Sequence, residues 1–329
     1  MTTIDSDPIY VRLTIAVLVS LASVAAAQTP PPRAGHVMAT AGTGGGVLLV
    51  GGQIIDNTPR LADTLWSWDG VAWSSLSDTG PHNRTLPATA YDSRRGVLVV
   101  YGGSGIASGT HFGDTWEWNG QRWAERNVRT PGGRDHHAMA YDEARGKVVM
   151  YGGSNASGQW YLSDTWTFDG TTWERVDSVG APGPRVHHAM AYDTRRQRVV
   201  LIGGSDSTGR RAADVWEWDG SRWQRIAVTG ATPSARSHHR LAYDATRGVT
   251  VLFGGDQTGE TWTWDGSRWT QHTVPGPTAR SVHAMAFDSR RQRVVLYGGA
   301  GPGGVPPYSY LSDTWEWDGA RWTRVGTSA

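Results

Sequence analysis

The chain has 329 residues, with 31 lysines and arginines set against 30 aspartates and glutamates. A formal charge of +1 excludes a general electrostatic pull toward nucleic acid or an anionic membrane. The absence of cysteine rules out disulfides, a thiol nucleophile, a lipid-anchored cysteine and cysteine-ligated zinc or iron–sulfur sites. With 43 glycines and 18 tryptophans, the composition favours short strands and tight turns over helices.

The first segment differs from all that follows. Residues 13–27, LTIAVLVSLASVAAA, are apolar, follow Arg12, and end with Ala25 and Ala27 spaced as in an A-x-A cleavage site. The run is short for a membrane span, which needs roughly 20 residues. It reads as a secretory signal peptide occupying 1–27, although Asp5 and Asp7 stand where positive charge is expected. The mature chain is expected to begin at Gln28 and to be secreted or periplasmic, with no membrane span.

From residue 28 to 329 the sequence repeats. Gly-Gly doublets recur at 51–52, 102–103, 152–153, 203–204, 254–255 and 298–299, and each unit closes on a tryptophan: Trp73, Trp123, Trp173, Trp223, Trp269 and Trp322. Six units, approximately 32–79, 80–129, 130–180, 181–231, 232–275 and 276–329, leave no room for a second domain. The fourth unit shows the plan. HHAMAYD is a short strand, TRRQ a polar turn, and RVVLIGG an apolar strand ended by glycines that tolerate positive φ. DVWEW and SRWQRI then flank Asp219-Gly220, a two-residue hairpin signal. That turn predicts Trp218 opposite Ser221, Glu217 opposite Arg222, and Trp216 opposite Trp223. Alternation would put the three tryptophans on one face and a Glu–Arg pair on the other. Seventeen of the eighteen tryptophans occupy these repeated places, so they read as packing between sheets.

Four-stranded units at this period, the six Gly-Gly doublets, Arg-x-x-His openings such as Arg185…His188, and the downstream tryptophans resemble the kelch-repeat family over the whole mature chain. The resemblance implies an all-β, six-bladed kelch-type β-propeller with four antiparallel strands per blade. It would be similar to a galactose-oxidase-like central domain without the copper and Cys-Tyr site. Chain order implies closure by packing of the first blade on the last, without an exchanged strand.

What recurs in register reads as scaffold. Arg33, Arg84, Arg134, Arg185, Arg236 and Arg280 are matched by Asp63, Asp114, Asp164, Asp214, Glu260 and Asp313, which predicts structural ion pairs. His36, His137, His188, His239 and His283 close the Arg-x-x-His motifs and read as packing residues. What breaks the repeat is the candidate for function. The preceding position holds His136, His187 and His238 in three consecutive units, against Gly35, Leu86 and Val282 elsewhere. The resemblance places it near the mouth of the central channel. Arg240 replaces a small residue there and adds positive charge. Neighbouring inner strands are expected to hold the three histidines too far apart for a compact metal site, so no metal and no cofactor are expected. Tyr161 and Tyr310 share a YLSDTW segment and read as structural, whereas Trp160 and Tyr308 are unshared aromatics on rim loops.

The reading is a secreted, monomeric binding module that recognises a protein or glycan on the loop-rich face, with Trp160, Tyr308, His136, His187, His238 and Arg240 as ligand-binding candidates. The alternative is a carbohydrate-active enzyme, such as a sugar epimerase or mutarotase, using the channel-mouth histidines. A carboxylate near His187, with Asp135 and Asp206 as the possibilities, would favour the enzyme. Radical copper chemistry fails for want of cysteine. Sialidase Asp boxes fail because Asp and Gly are adjacent in EWDGSRW.

Overall fold

The computed structural model describes residues 28–55, 59–106, 109–155, 161–176, 180–256, 258–302 and 309–326. The signal-peptide segment 1–27 and both loop aromatics, Trp160 and Tyr308, lie outside the described residues. Within them the protein is all-β apart from one 3-10 turn at Gly42–Gly44, and no helix is long and apolar enough to cross a membrane. Seven sheets form, where six were expected. Six are four-stranded and antiparallel, each built from four consecutive strands, as in Ala189–Asp193, Arg198–Ile202, Val215–Trp218 and Trp223–Ile226. The seventh joins Arg33–Ala34, Gln53–Ile55 and Pro59–Leu61. It is the rim extension of the first unit. Other units show the same pairing as isolated bridges, Thr85 with Ser104 and Val186 with Ser205, just beyond the glycine doublet. The first unit pairs for longer there, so its rim counts as a separate sheet.

The innermost strands touch in a closed ring that runs from Val37–Thr40 around to Ala284–Asp288 and back, giving a β-propeller. Among the described residues no strand is exchanged between the first and last units. Side chains seal that seam instead: Trp68 Nε1 donates to Glu316 (2.9 Å), Trp73 Nε1 to Thr314 (2.9 Å), and Tyr297 Oη to the Pro30 carbonyl.

The hairpin register departs from the expected one. Trp218 pairs with Trp223, Glu217 with Gln224 and Trp216 with Arg225. The turn is centred one residue later, on Gly220-Ser221, and closed by Asp219 N–H to the Arg222 carbonyl (3.2 Å). The Asp219 carboxylate causes the shift. It accepts from the backbone of Ser221 and of Arg222, both at 2.9 Å, so it flanks the turn as a capping group, and Gly220 takes φ 99°. The three tryptophans still share a face, because the slip keeps the parity of the pairing. The expected Glu–Arg cross-strand pairs do not form. Glu117, Glu217 and Glu316 instead accept from Arg95, Arg196 and Arg291, which also hold the buried Asp92, Asp193 and Asp288 at the inner hairpin of the same unit.

Each outermost tryptophan reaches back to the preceding sheet. Trp173, Trp223 and Trp322 donate to Thr115, Thr165 and Thr261 at 2.9–3.0 Å. The equivalent threonine is Leu65 in the first unit and Val215 in the fourth. Among the described residues, the facing Trp123 and Trp269 N–H groups are then buried without a partner.

Of the six arginine–carboxylate pairs expected, five form within their units: Arg84–Asp114 (2.8 Å), Arg134–Asp164 (2.8 Å), Arg185–Asp214 (3.0 Å), Arg236–Glu260 and Arg280–Asp313 (2.7 Å). Arg33 is the exception. Asp63 turns to the backbone N–H of Asn83 (2.7 Å), and Arg33 donates to the Gly51 and Pro31 carbonyls instead. Burial without a carboxylate lowers the Arg33 pKa to about 10.

Candidate functional site

The site begins with a backbone peculiarity. Gly35, Leu86, His136, His187, His238 and Val282, one per unit, all adopt left-handed φ between 48° and 70°. This lets five of the six N–H groups turn along the ring to the carbonyl of the preceding unit: Leu86 to Gly35 (2.7 Å), His187 to His136 (3.2 Å), His238 to His187 (3.0 Å), Val282 to His238 (3.1 Å), and Gly35 back to Val282 (2.9 Å). A collar of main-chain hydrogen bonds thus surrounds the channel mouth. Left-handed φ costs a non-glycine residue about 1–2 kcal/mol. Glycine would satisfy the collar in any unit, so three adjacent histidines carry that cost for their side chains.

Those side chains converge. The His136 and His187 rings meet edge to face at 4.1 Å between centroids, and His187 stacks on His238 at 3.7 Å with 27° between planes. The expectation that neighbouring strands hold them apart is therefore wrong, because left-handed φ turns each side chain toward its neighbours. Even so, no group of three or more metal-ligating residues among the described residues could hold an ion. Together with Arg240 they line a cavity of about 110 Å³ whose other walls include Leu86, Pro87 and Val282. Its floor is a collar of Met38, Met139, Met190, Leu241 and Met285, below which lies a larger chamber walled by Tyr91, Tyr141, Tyr192, Tyr243 and Phe287.

Two carboxylates serve this site from behind. Asp135 is buried and its Oδ1 lies 2.8 Å from His136 Nδ1, while also accepting from Ser154 Oγ (2.5 Å). Burial works to raise the Asp135 carboxyl, but His136, Ser154 and Ser104 outweigh it and hold it well below the usual carboxylate range. On the far side His238 Nδ1 is 2.9 Å from Ser237 Oγ, which donates to Asp256 Oδ1 (3.0 Å). Asp256 is neutralised by Arg211 at 2.7 Å. Sequence reasoning missed Ser237 and Asp256, though Asp256 breaks the repeat: the residue after the doublet is serine in units two, three and four, and aspartate only at 256. Asp206, the other carboxylate considered, caps its own rim turn through Thr208 and Arg210, away from the mouth.

Arg240 is the one uncompensated charge in the cavity. Its hydrogen bond runs to the His239 carbonyl (3.1 Å), and it forms no ion pair with a carboxylate among the described residues. Burial lowers its pKa to about 10, so it stays charged at neutral pH. Burial chiefly, with the Arg240 charge contributing, holds His36, His187, His188, His238, His239 and His283 below the usual imidazole range. A cation felt from four of the units sits toward the channel axis. His238 is pushed down to about 3, so it is neutral at physiological pH. The mouth thus sets a cationic guanidinium beside the neutral imidazoles of His187 and His238.

The closing histidines behave as scaffold. His36 Nε2 meets the Tyr297 carbonyl (3.0 Å), His188 Nε2 that of Tyr151 (3.1 Å), and each packs edge-on against the same tyrosine. The second glycine of each doublet makes room: a Cβ at Gly204 would stand 2.9 Å from His188 Cβ.

A family model described as the KLHDC2/KLHL20/DRC7 Kelch-repeats domain matches residues 117–262 and 170–328. The chain belongs to this kelch-repeat family. A solved structure described as "Structure of YjhT" shares 16% identity, with a TM-score of 0.68 over 90% of this chain and 98% of that one, a likeness of fold. No curated protein sequence matches the chain significantly. Within this chain the tryptophans, the paired arginines and the closing histidines recur from unit to unit, and the mouth is where the units differ.

Proposed function

We propose that this kelch propeller is an exported, monomeric interaction module. Its six four-stranded sheets would form a six-bladed ring, and the Arg240 cavity would receive an anionic group of a protein or glycan partner. The observation that supports this is the Arg240 guanidinium, buried without a carboxylate among the described residues, whereas five of the six repeated arginines are each paired with one. Trp160 and Tyr308, which lie outside the described residues, are proposed as further ligand contacts. The carboxylate-backed imidazoles also suit general acid–base work on a sugar, so any ligand found is assayed for turnover.

The test is a thermal-shift panel of acidic sugars, acidic peptides and their neutral analogues on wild type, Arg240→Gln and Trp160→Ala/Tyr308→Ala. A ligand at 100 times its Kd adds about 2.7 kcal/mol. Acidic ligands should stabilise wild type and not Arg240→Gln. Equal shifts in both, or none with any anion, would refute the reading.

A further inference from the structure

The two carboxylate anchors behind the mouth are mirror arrangements of one residue pair. In the third unit the residue after the arginine is Asp135 and its cross-strand partner is Ser154. In the fifth unit that first position is Ser237, facing Asp256, whose N–H donates to the Ser237 carbonyl (3.2 Å) and whose carboxylate accepts from the Ser237 N–H (2.9 Å) and hydroxyl (3.0 Å). The fourth unit, between them, has Val186 and Ser205, and His187 Nδ1 is buried without a partner. Neither anchor belongs to the repeated scaffold. What they share is the atom they bind: Nδ1 of His136 (2.8 Å) and Nδ1 of His238 (2.9 Å).

A carboxylate accepts and cannot donate, so Asp135 requires a proton on His136 Nδ1. Ser237 donates to Asp256, so its oxygen is left to accept from His238 Nδ1. With Nδ1 holding the proton, each ring in its neutral form keeps its lone pair on Nε2. Among the described residues, no Nε2 of His136 or His238 is buried unpaired or hydrogen-bonded, whereas the scaffold rings of His137, His239 and His283 are buried at both nitrogens without a partner. The mouth thus offers one charged donor, Arg240, flanked by acceptors.

On the anionic reading above, we propose that the cavity selects a hydroxylated carboxylate over a bare anion, and that Asp135 and the Ser237–Asp256 pair are the positioning residues that set this choice. The carboxylate takes Arg240, and hydroxyl groups beside it donate to His136 and His238 Nε2. A fully deprotonated oxyanion brings only acceptors, which face lone pairs on both sides of the guanidinium.

The test uses the protein of residues 28–329 with acetate, glycolate, gluconate and sulfate as probes, titrated by NMR, and ¹⁵N shifts reporting the histidine tautomers. Glycolate should bind about tenfold tighter than acetate, as one added hydrogen bond of about 1.4 kcal/mol gives. Gluconate should bind at least as well, and sulfate weakest. His136 and His238 should show Nδ1–H tautomers. Ser237→Ala, which deletes one oxygen, should release the His238 tautomer and erase most of the hydroxyl preference while acetate affinity holds. Equal binding of acetate and glycolate, both lost in Arg240→Gln, would overturn this proposal and leave the anionic reading standing. Nε2–H tautomers in the wild type would also overturn it. Failure of every anion to bind would remove both.

Discussion

Threonine hydroxyls between the sheets offer a test that needs no ligand. Trp223 donates to Thr165 across one seam, whereas Trp269 faces Val215 across the next and its N–H is buried unpaired. Val215 is fully buried and packs in one cluster with Trp269. Val215→Thr swaps a methyl for a hydroxyl of nearly the same size, within reach of an orphaned donor. A net protein hydrogen bond contributes about 0.5–1.5 kcal/mol, and an unpaired buried donor costs about 1–3 kcal/mol. The variant should therefore gain about 1 kcal/mol. The mirror change, Thr165→Val, strands the Trp223 N–H and should lose about 1–3 kcal/mol. In a propeller of this size 1 kcal/mol moves Tm by only about 1.5 °C, so urea denaturation followed by circular dichroism is the better assay. Trp269→Phe closes the cycle: without the N–H, Val215→Thr should give no gain, leaving a coupling of about 1 kcal/mol. If Val215→Thr destabilises in both backgrounds, the hydroxyl is merely being buried and the reasoning fails.

Acid should unfold the protein early. His36, His137, His188, His239 and His283 are buried with folded pKa values far below the unfolded 6.5, so the unfolded chain binds more protons and stability is lost as pH falls below about 6.5. Because several histidines act together, with His187 and His238 lowered in the same sense, urea stability should fall steeply between pH 6 and 5. Flat urea stability across that range would contradict their burial. Asp164→Asn breaks a buried bidentate pair with Arg134 and should cost about 3 kcal/mol, whereas Asp63→Asn, which holds no arginine, should cost under 1 kcal/mol by the same assay. His187→Gly relieves a left-handed residue whose Nδ1 is unpaired, and should raise stability by about 1 kcal/mol while weakening anion binding in titration.

How much of this was legible in the sequence depends on whether a feature repeats. Tryptophans, doublets and arginines recur in register in every unit, so comparison of the units with one another shows them as scaffold. Hairpin register was misread because a two-residue Asp-Gly turn was assumed, when the Asp219 side chain caps the loop and moves the turn onto Gly220-Ser221. No pattern of hydrophobicity reports that, since a slip of this parity leaves every tryptophan on its own face. Arg240 and the three histidines were legible as breaks in the repeat, but their contact was not. It depends on left-handed φ at the collar, and only Gly35 among the six positions advertises that conformation. The anchors make the sharper case. Asp135 was noticed as a loose carboxylate, and Ser237 and Asp256 passed over, because each was read along the chain. Read across the sheet, as the pair that follows the arginine and the pair that follows the doublet, the same two columns hold Asp–Ser in the third unit and Ser–Asp in the fifth. A repeat protein can change its chemistry without changing its fold at such two-column positions. The partner across the bridge satisfies whatever polar group is placed there, and the neighbouring histidine inherits its proton position from the choice.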